Sequence, residues 1–517
     1  MPGMPDAKPE DIVLRLIGIT KRFGPLVAND AISLDLHRGE VLALLGENGA
    51  GKTTLMNILF GHYVADEGEI EIFGEKLQPG SPRAAIAAGI GMVHQHFTLA
   101  DNLTVLDNIM LGTEALWRGA TNRRKAQRRL GELAADFGLH IDAEARVADL
   151  SVGERQRVEI LKVLYREARI LILDEPTAVL TPQESAALFQ TLAKLVAKGL
   201  SVIFISHKLN EVLAVSGRIL VLRGGKLVAE RRTSETSKAE LATLMVGREI
   251  PPPKIEPQAA GAVAVRFSDV RVHGAGGAAL LDGVSLELRA GEILGIAGVA
   301  GNGQSALADL LSGLSAPAAG TVELFGKEIS DWRPRALIDA GVARIPEDRH
   351  AAGAIADMSV AENAIAEIHR KPQFFHYGFL DWPGARRFAQ QIVADYDVKC
   401  PSPAAPMRLL SGGNMQKLIL GRVLSQSPRL VLANQPTRGL DVGAIDYVHR
   451  QLLVVRKAGG SVLLISEDLD ELLSLADRVA VMYRGKLSAP MARAAVTIER
   501  LGLMMAGQDP EGAGHAA

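Results

Sequence analysis

Short, almost purely apolar runs recur along the chain. They include VLALLG at 41–46, ILILDE at 170–175, VIFISH at 202–207, ILGIAG at 293–298, LVLANQ at 430–435 and VLLISE at 462–467. Unbroken apolar runs of this length predict strands covered on both faces, the mark of a parallel sheet sandwiched by helices. Between them lie segments with apolar residues three and four apart, such as TTLMNILF at 53–60 and VEILKVLYRE at 158–167, which predict helices. The alternation argues an α/β layer architecture with a largely parallel sheet. Residues 102–150 carry few strand signals and predict an inserted helical lobe. No run reaches the roughly 18 apolar residues that a membrane span needs.

The pattern is written twice. ISLDLHRGEVLALLGENGAGKTTLMNILFG (32–61) aligns without gaps on VSLELRAGEILGIAGVAGNGQSALADLLSG (284–313). GIGMVHQ and GVARIPE continue the match, then LSVGERQ and LSGGNMQ, ILILDEPT and LVLANQPT, FISHKLNEVL and LISEDLDELL. Two homologous domains are therefore expected, at 10–248 and 263–506. The prolines of GREIPPPKIEPQAAGA make 249–262 a linker, and the small polar residues of 507–517 a frayed tail.

Composition narrows the class. At 517 residues the chain exceeds one ordinary core. A hydrophobic share of 48% and a charged share of 22% are those of a globular protein. The formal charge of −2 gives no overall pull toward nucleic acid, and the basic run RGATNRRKAQRR (118–129), without interleaved aromatics, reads as a solvated helix face. The single cysteine, Cys400, suits a reducing compartment, and the polar N-terminus has no apolar signal-peptide core.

The chemistry sits at the ends of the apolar runs. GENGAGKT, from Gly46 through Glu47, Asn48, Gly49, Ala50, Gly51 and Lys52 to Thr53, follows a strand and opens a helix at Thr54. That is the context of a phosphate-cradling P-loop: glycines let the backbone wrap the anion, helix amides face it, and Lys52 adds a mobile cation. Thr53 offers a hydroxyl to Mg²⁺. Asp174 and Glu175 end a buried strand, where Asp174 suits Mg²⁺ binding and Glu175 a general base. Gln95 can reach metal and water, His207 the γ-phosphate, and Phe23 an adenine ring. Taken singly, each of these three reads more readily as a packed or hydrogen-bonded residue. Ser151 and Gly153 of LSVGE begin a helix, which fits a phosphate contact or an ordinary cap.

These elements, in this order and twice over, resemble the ATP-binding subunits of ABC transporters. The tandem form is similar to the fused subunits of bacterial simple-sugar and nucleoside importers. PEDRH (346–350) and PTRGLDVGA (436–444) look most like the nucleoside branch. The resemblance implies two P-loop NTPase domains, each with a mixed core sheet, an antiparallel β subdomain and a helical subdomain. It also implies ATP and Mg²⁺ as ligands. Two transmembrane permease subunits and, through them, an extracytoplasmic solute-binding protein are the implied partners, with no nucleic acid. The implied place is peripheral, on the cytoplasmic face of the inner membrane.

In that family the domains meet head to tail, so each ATP lies between the P-loop of one half and the signature of the other. One site would join Lys52, Thr53, Gln95, Asp174, Glu175 and His207 with Ser411, Gly412, Gly413, Asn414 and Asp441. The other would join Gly298, Gly301, Gly303, Gln304, Ser305, Glu347, Asn434, Gln435 and Glu467 with Ser151, Gly153 and Glu154. There Gln304 stands for the lysine, Glu347 for Gln95, Asn434 and Gln435 for the two acids and Glu467 for the histidine, while Thr181 holds the place of Asp441. Amides cannot take a proton from water near neutral pH, so one competent and one degenerate site are expected. NLTVLDNI (102–109) and DMSVAENAI (357–365) match as a pair where the family receives a permease helix, though each also reads as a capped helix start. A soluble tandem ABC ATPase acting on ribosomes is the alternative.

Overall fold

With neighbours on both faces, the apolar runs become the central strands of two similar α/β units. A computed structural model describes residues 11–94, 97–113, 122–177, 180, 182–249, 255–299 and 301–508. The chain divides into compact units at Met1–Pro251 and Pro252–Ala517.

The first unit opens with β1 (Ile12–Phe23), β2 (Leu26–His37), β3 (Val41–Gly46), α1 (Lys52–Phe60), β4 (Glu67–Ile72), β5 (Glu75–Lys76), α2 (Pro82–Ala87) and β6 (Ile90–Val93). A helical lobe follows, α3 (Val105–Met110), α4 (Arg123–Phe137) and α5 (Val152–Tyr165). It closes with β7 (Ile170–Asp174), α6 (Pro182–Ala197), β8 (Ser201–Ile205), α7 (Leu209–Val215), β9 (Arg218–Arg223), β10 (Lys226–Arg232) and α8 (Lys238–Val246). Strands β2-β1-β4-β5 form an antiparallel sheet, and β10-β9-β3-β8-β7-β6 a core sheet that is parallel except at its β10 edge. All residues of β6, β7 and β8 are buried, which is why those strands read as apolar runs and not as alternation.

The second unit repeats the plan with β11 (Val263–His273), β12 (Ala279–Arg289), β13 (Ile293–Ala297), α9 (Gln304–Leu311), β14 (Ala319–Leu324), β15 (Lys327–Glu328), α10 (Pro334–Asp339) and β16 (Val342–Ile345). Its lobe holds α11 (Val360–Ile365), a hairpin of β17 (Phe375–His376) and β18 (Phe379–Leu380), α12 (Trp382–Asp395) and α13 (Gly412–Leu424). Then come β19 (Leu430–Asn434), α14 (Val442–Lys457), β20 (Ser461–Ser466), α15 (Leu469–Leu475), β21 (Arg478–Tyr483), β22 (Lys486–Leu487), β23 (Met491–Ala492) and α16 (Ile498–Met505). The core order β16-β19-β20-β13-β21-β22 reproduces that of the first unit strand for strand, with β23 added beside β21. The second unit also carries the β17–β18 hairpin and a π-helical turn at Arg349–Gly353, neither of which has a counterpart among the described residues of the first.

The basic run is a solvated face. On α4 only Ala126, Leu130 and Ala134 are buried, while Arg123 pairs with Asp107 and Glu144, and Arg129 with Glu167. Among the described residues no helix is long and apolar enough to cross a membrane.

Helices α12 and α13 cross closely at Gly421, where an added Cβ would lie 2.4 Å from Ile392 and 3.0 Å from Tyr396. Gly131, on the exposed side of α4, has nothing within 4 Å of such a Cβ. Gly421→Val is therefore expected to cost about 1–3 kcal/mol through overpacking. Gly131→Ala should add roughly 0.5–1 kcal/mol by removing backbone freedom from the unfolded chain. Chemical denaturation of the full chain checks both signs.

Candidate nucleotide site

The loop between β3 and α1 is shaped by what cannot fit there. Gly51 sits at φ 100°, and a Cβ on it would lie 2.3 Å from the Ala28 carbonyl oxygen and 2.6 Å from Asn29 Nδ2. Asn29, fully buried, donates from that nitrogen to the Gly51 carbonyl at 3.1 Å and pins the turn. Lys52 is 6% exposed and curls back over the loop, its ammonium donating to the carbonyls of Gly46 (2.7 Å) and Glu47 (3.0 Å). Helix α1 starts without a side-chain cap, whereas α2, α3, α4 and α5 take theirs from Ser81, Thr104, Asn122 and Ser151. Gly51 at the cap has no side chain to compete for the first-turn amides of α1, as suits an anion cradle. Thr53 beside them is exposed.

Strand β7 delivers the acids. Asp174 is buried, and burial together with the neighbouring Glu175 charge pushes its pKa up to about 6 against the pull of Lys52. Glu175 adopts a left-handed backbone, φ 47°, with its amide donating to the Ile205 carbonyl of β8 at 2.9 Å. His207, just past β8, donates from Nδ1 to Glu175 Oε1 at 2.8 Å. Burial raises the Glu175 pKa, but the His207 hydrogen bond and nearby positive charge outweigh it, and the carboxyl is held below its ordinary range. This acid is kept ionised and aimed.

The donor set fits Mg²⁺. Asp174 is a buried carboxylate and Thr53 a hydroxyl, both hard oxygen donors. Among the described residues no group of three His, Cys, Asp or Glu could hold a metal alone.

The second unit keeps the backbone and changes the side chains. Gly303 sits at φ 115° ahead of α9, again with no side-chain cap. Gln304, 8% exposed, donates to the Val299 carbonyl at 3.0 Å, and its Oε1 is buried without a hydrogen-bond partner. Gln435 repeats the left-handed turn of Glu175 at φ 48°, its amide donating to Ile465 at 2.8 Å. Its side-chain oxygen accepts from the Glu467 backbone amide at 3.3 Å, where the first unit has an imidazole against a carboxylate. Asn434 ends β19 at the Asp174 position. Glu347 is ion-paired to Arg438, and Arg349 next to it donates to the carbonyls of Arg438 (2.7 Å) and Gly439 (3.3 Å). Gln95 and Thr181 lie outside the described residues, as does Ala300 of the second glycine loop.

Both signature serines cap helices. Ser151 and Glu154 form a reciprocal capping box on α5, and Ser411 caps α13 with Asn414 Nδ2 donating to its hydroxyl at 2.9 Å. Gly153 is close-packed, since a Cβ there would lie 2.4 Å from Glu184 Oε1. Asp441 caps α14 by accepting from Ala444 at 2.8 Å. Phe23 is 43% exposed and meets the edge of Tyr63 at 5.7 Å, leaving ring surface for stacking.

Reading along the chain missed one network. Thr177, just past the acids, donates to Glu211, which also accepts from Ser206 at 3.1 Å. The second unit repeats it with Thr437 (2.8 Å) and Ser466 (2.6 Å) on Glu471, joined by His449 at 3.1 Å. It ties the loop after β7 or β19 to the turn after the neighbouring strand. The signal was present: Thr and Glu persist in both halves where the catalytic types do not.

A glycine cradle, a buried lysine and a strand-end acid pair define a P-loop nucleoside-triphosphatase, and a second copy of the cradle defines its tandem form. The sequence profile of the ABC transporter family matches residues 29–178 and 281–438. The chain belongs to the ABC transporter family, among its ATP-binding and ATP-hydrolysing chains. It is 43% identical to the nucleoside import ATP-binding protein NupA of Lactococcus lactis, over 96% of this chain and 98% of that one. It is 45% identical to the guanosine import ATP-binding protein NupO of Bacillus subtilis, over 98% and 99%. The solved archaeal ribosome recycling factor aABCE1, in complex with stalk protein aP1, covers 96% of this chain and 94% of its own at TM-score 0.62. Its identity of 19% makes that a likeness of fold alone.

Because Gln304 leaves a buried oxygen unpaired and Asn302 also donates to Val299, Gln304→Leu should change stability by less than about 1 kcal/mol. A loss above roughly 2 kcal/mol in chemical denaturation would show that the amide holds the loop together.

Proposed function

We propose that this chain hydrolyses ATP to drive import of a small polar solute, foremost a nucleoside, through a membrane permease, with turnover at one of two nucleotide sites. The observation that carries the reading is the matched pair of left-handed turns. One holds a carboxylate against an imidazole, the other an amide against a backbone N–H. The head-to-tail pairing implied by the family assigns Lys52, Thr53, Gln95, Asp174, Glu175 and His207 to one site with Ser411, Gly412, Gly413, Asn414 and Asp441. Gln304, Asn434, Gln435 and Glu467 fall in the other.

In the competent site Lys52 and the α1 amides bind the β and γ phosphates. Glu175 accepts a proton as water attacks, and His207 keeps that carboxylate oriented. Thr53, Asp174 and Gln95 would hold Mg²⁺, which when bound would neutralise charge at the phosphates. An amide at position 435 can hydrogen-bond but cannot act as the base.

Permease docking is supported by the paired segments NLTVLDNI and DMSVAENAI, one in each unit. The capped starts of α3 at Thr104 and α11 at Ser359 are the matched segments on the two units. Nucleoside as the first choice of solute is supported by the names of the relatives at 43% and 45% identity. A 44% identical glucose import protein of Haloferax volcanii keeps sugars in the same class.

The test uses vesicles containing this chain and its cognate permease. ATP-dependent nucleoside uptake is expected. Glu175→Gln should lower hydrolysis and uptake together by roughly 10²- to 10⁴-fold while nucleotide binding persists. Gln435→Glu should recover little in that background, because lysine, metal acid and histidine are still missing beside it. Full uptake by Glu175→Gln, or recovery of the chain with ribosomes instead of membranes, would refute the proposal.

A further inference from the structure

The β17–β18 hairpin is absorbed by none of the chemistry above. Its turn, Tyr377 and Gly378, has φ 49° and 89°, the type I′ geometry that favours Asn-Gly. A tyrosine there is strained, and the ring gains no packing in return. Tyr377 is 102% exposed and Phe379 is 78% exposed. The base of the hairpin is firmly held. Phe374 is 3% exposed, packed with Ile365, Ile368 and Ala385, and lies edge to face with Phe388 at 5.2 Å. The aromatic tip is thus a displayed feature on a fixed mount.

The flanking sequence is basic. Residues 369–387 hold Arg370, Lys371, Arg386 and Arg387 against one acid, Asp381, in a chain whose formal charge is −2. Asp381 is already engaged by the Gly384 amide at 3.0 Å and by Arg387 at 3.7 Å. Arg370, Arg386 and Arg387 are exposed. Exposed aromatic rings with exposed arginines close by in the sequence are the composition of an element at the interface of an anionic bilayer. A convex tip displaying rings suits insertion among lipid headgroups better than burial of a partner helix, which needs a concave groove. The linking segment at 111–122 in the first half contains one aromatic, Trp117.

We propose that this hairpin is an interfacial membrane anchor: Tyr377 and Phe379 enter the headgroup layer while Arg370, Arg386 and Arg387 attract anionic phospholipid. The inference rests on the permease reading only for turning this face, which follows α11 directly, toward the bilayer. Lipid binding itself needs no permease.

Purified full-length chain without permease is sedimented with phosphatidylcholine vesicles, with and without phosphatidylglycerol. Binding to the anionic vesicles is expected, weakening as salt rises. Tyr377→Ser with Phe379→Ser should lower the apparent affinity by about tenfold or more, and Arg386→Glu with Arg387→Glu by a similar factor. Tyr377→Asn suits the turn and guards against a folding defect, and it should weaken binding as well. Basal ATP hydrolysis in detergent should be unchanged in all three. Failure of the unaltered chain to bind anionic vesicles, or unchanged binding by the aromatic variants, would overturn the anchor. Loss of permease co-purification in detergent by Tyr377→Ser with Phe379→Ser, with vesicle binding intact, would assign the hairpin to the permease and overturn it too.

Discussion

Glu175 turns left-handed at the end of a buried strand, and its backbone amide is tied to the neighbouring strand. A bulky residue rarely adopts that backbone, at a cost of order 1 kcal/mol or more, and it persists only where surrounding structure imposes it. Here β8 imposes it, because Ile205 accepts the amide while His207, two residues on, reaches the carboxylate. The Thr177–Glu211–Ser206 network clamps the same corner from below. The glycine loop supplies the other wall, with Lys52 held across it, its positive charge opposing the rise of the Asp174 pKa and helping to lower that of Glu175.

The second unit shows what that constraint is worth without the chemistry. Its turn, its interstrand amide bond and its Thr437–Glu471–Ser466 clamp are all retained, although the carboxylate has become Gln435 and the imidazole Glu467. The same backbone strain over different side chains points to a shape with its own use. Arg349 and the Glu347–Arg438 pair reinforce it by bracing the segment that leads to Asp441 and its cap on α14.

Much of this was legible in the sequence because phosphate sites are linear: the cradle, its lysine and the helix behind it are contiguous, and the acids end an apolar run. The repeat was legible for the same reason, and the sheet order of the two units agrees strand for strand. What escaped depends on adjacency between distant strands. Glu211 and Glu471 meet their threonines only because β7 and β8, or β19 and β20, lie side by side. The left-handed backbone at 175 and 435 has no residue signature, since Glu and Gln are not the types that favour it. The hairpin at 375–380 was hidden because its aromatics look like core residues until their exposure is known.

The proposed function, with the head-to-tail pairing that the family implies, has the second half complete the site in which the first does its chemistry. ATP turnover by the permease-bound chain, compared between Ser411→Arg and Ser151→Arg, tests it most directly. The account predicts that Ser411→Arg abolishes turnover although it alters the half without a base, while Ser151→Arg leaves most of it. Turnover retained by Ser411→Arg and lost by Ser151→Arg, with both variants folded and on the membrane, would contradict it.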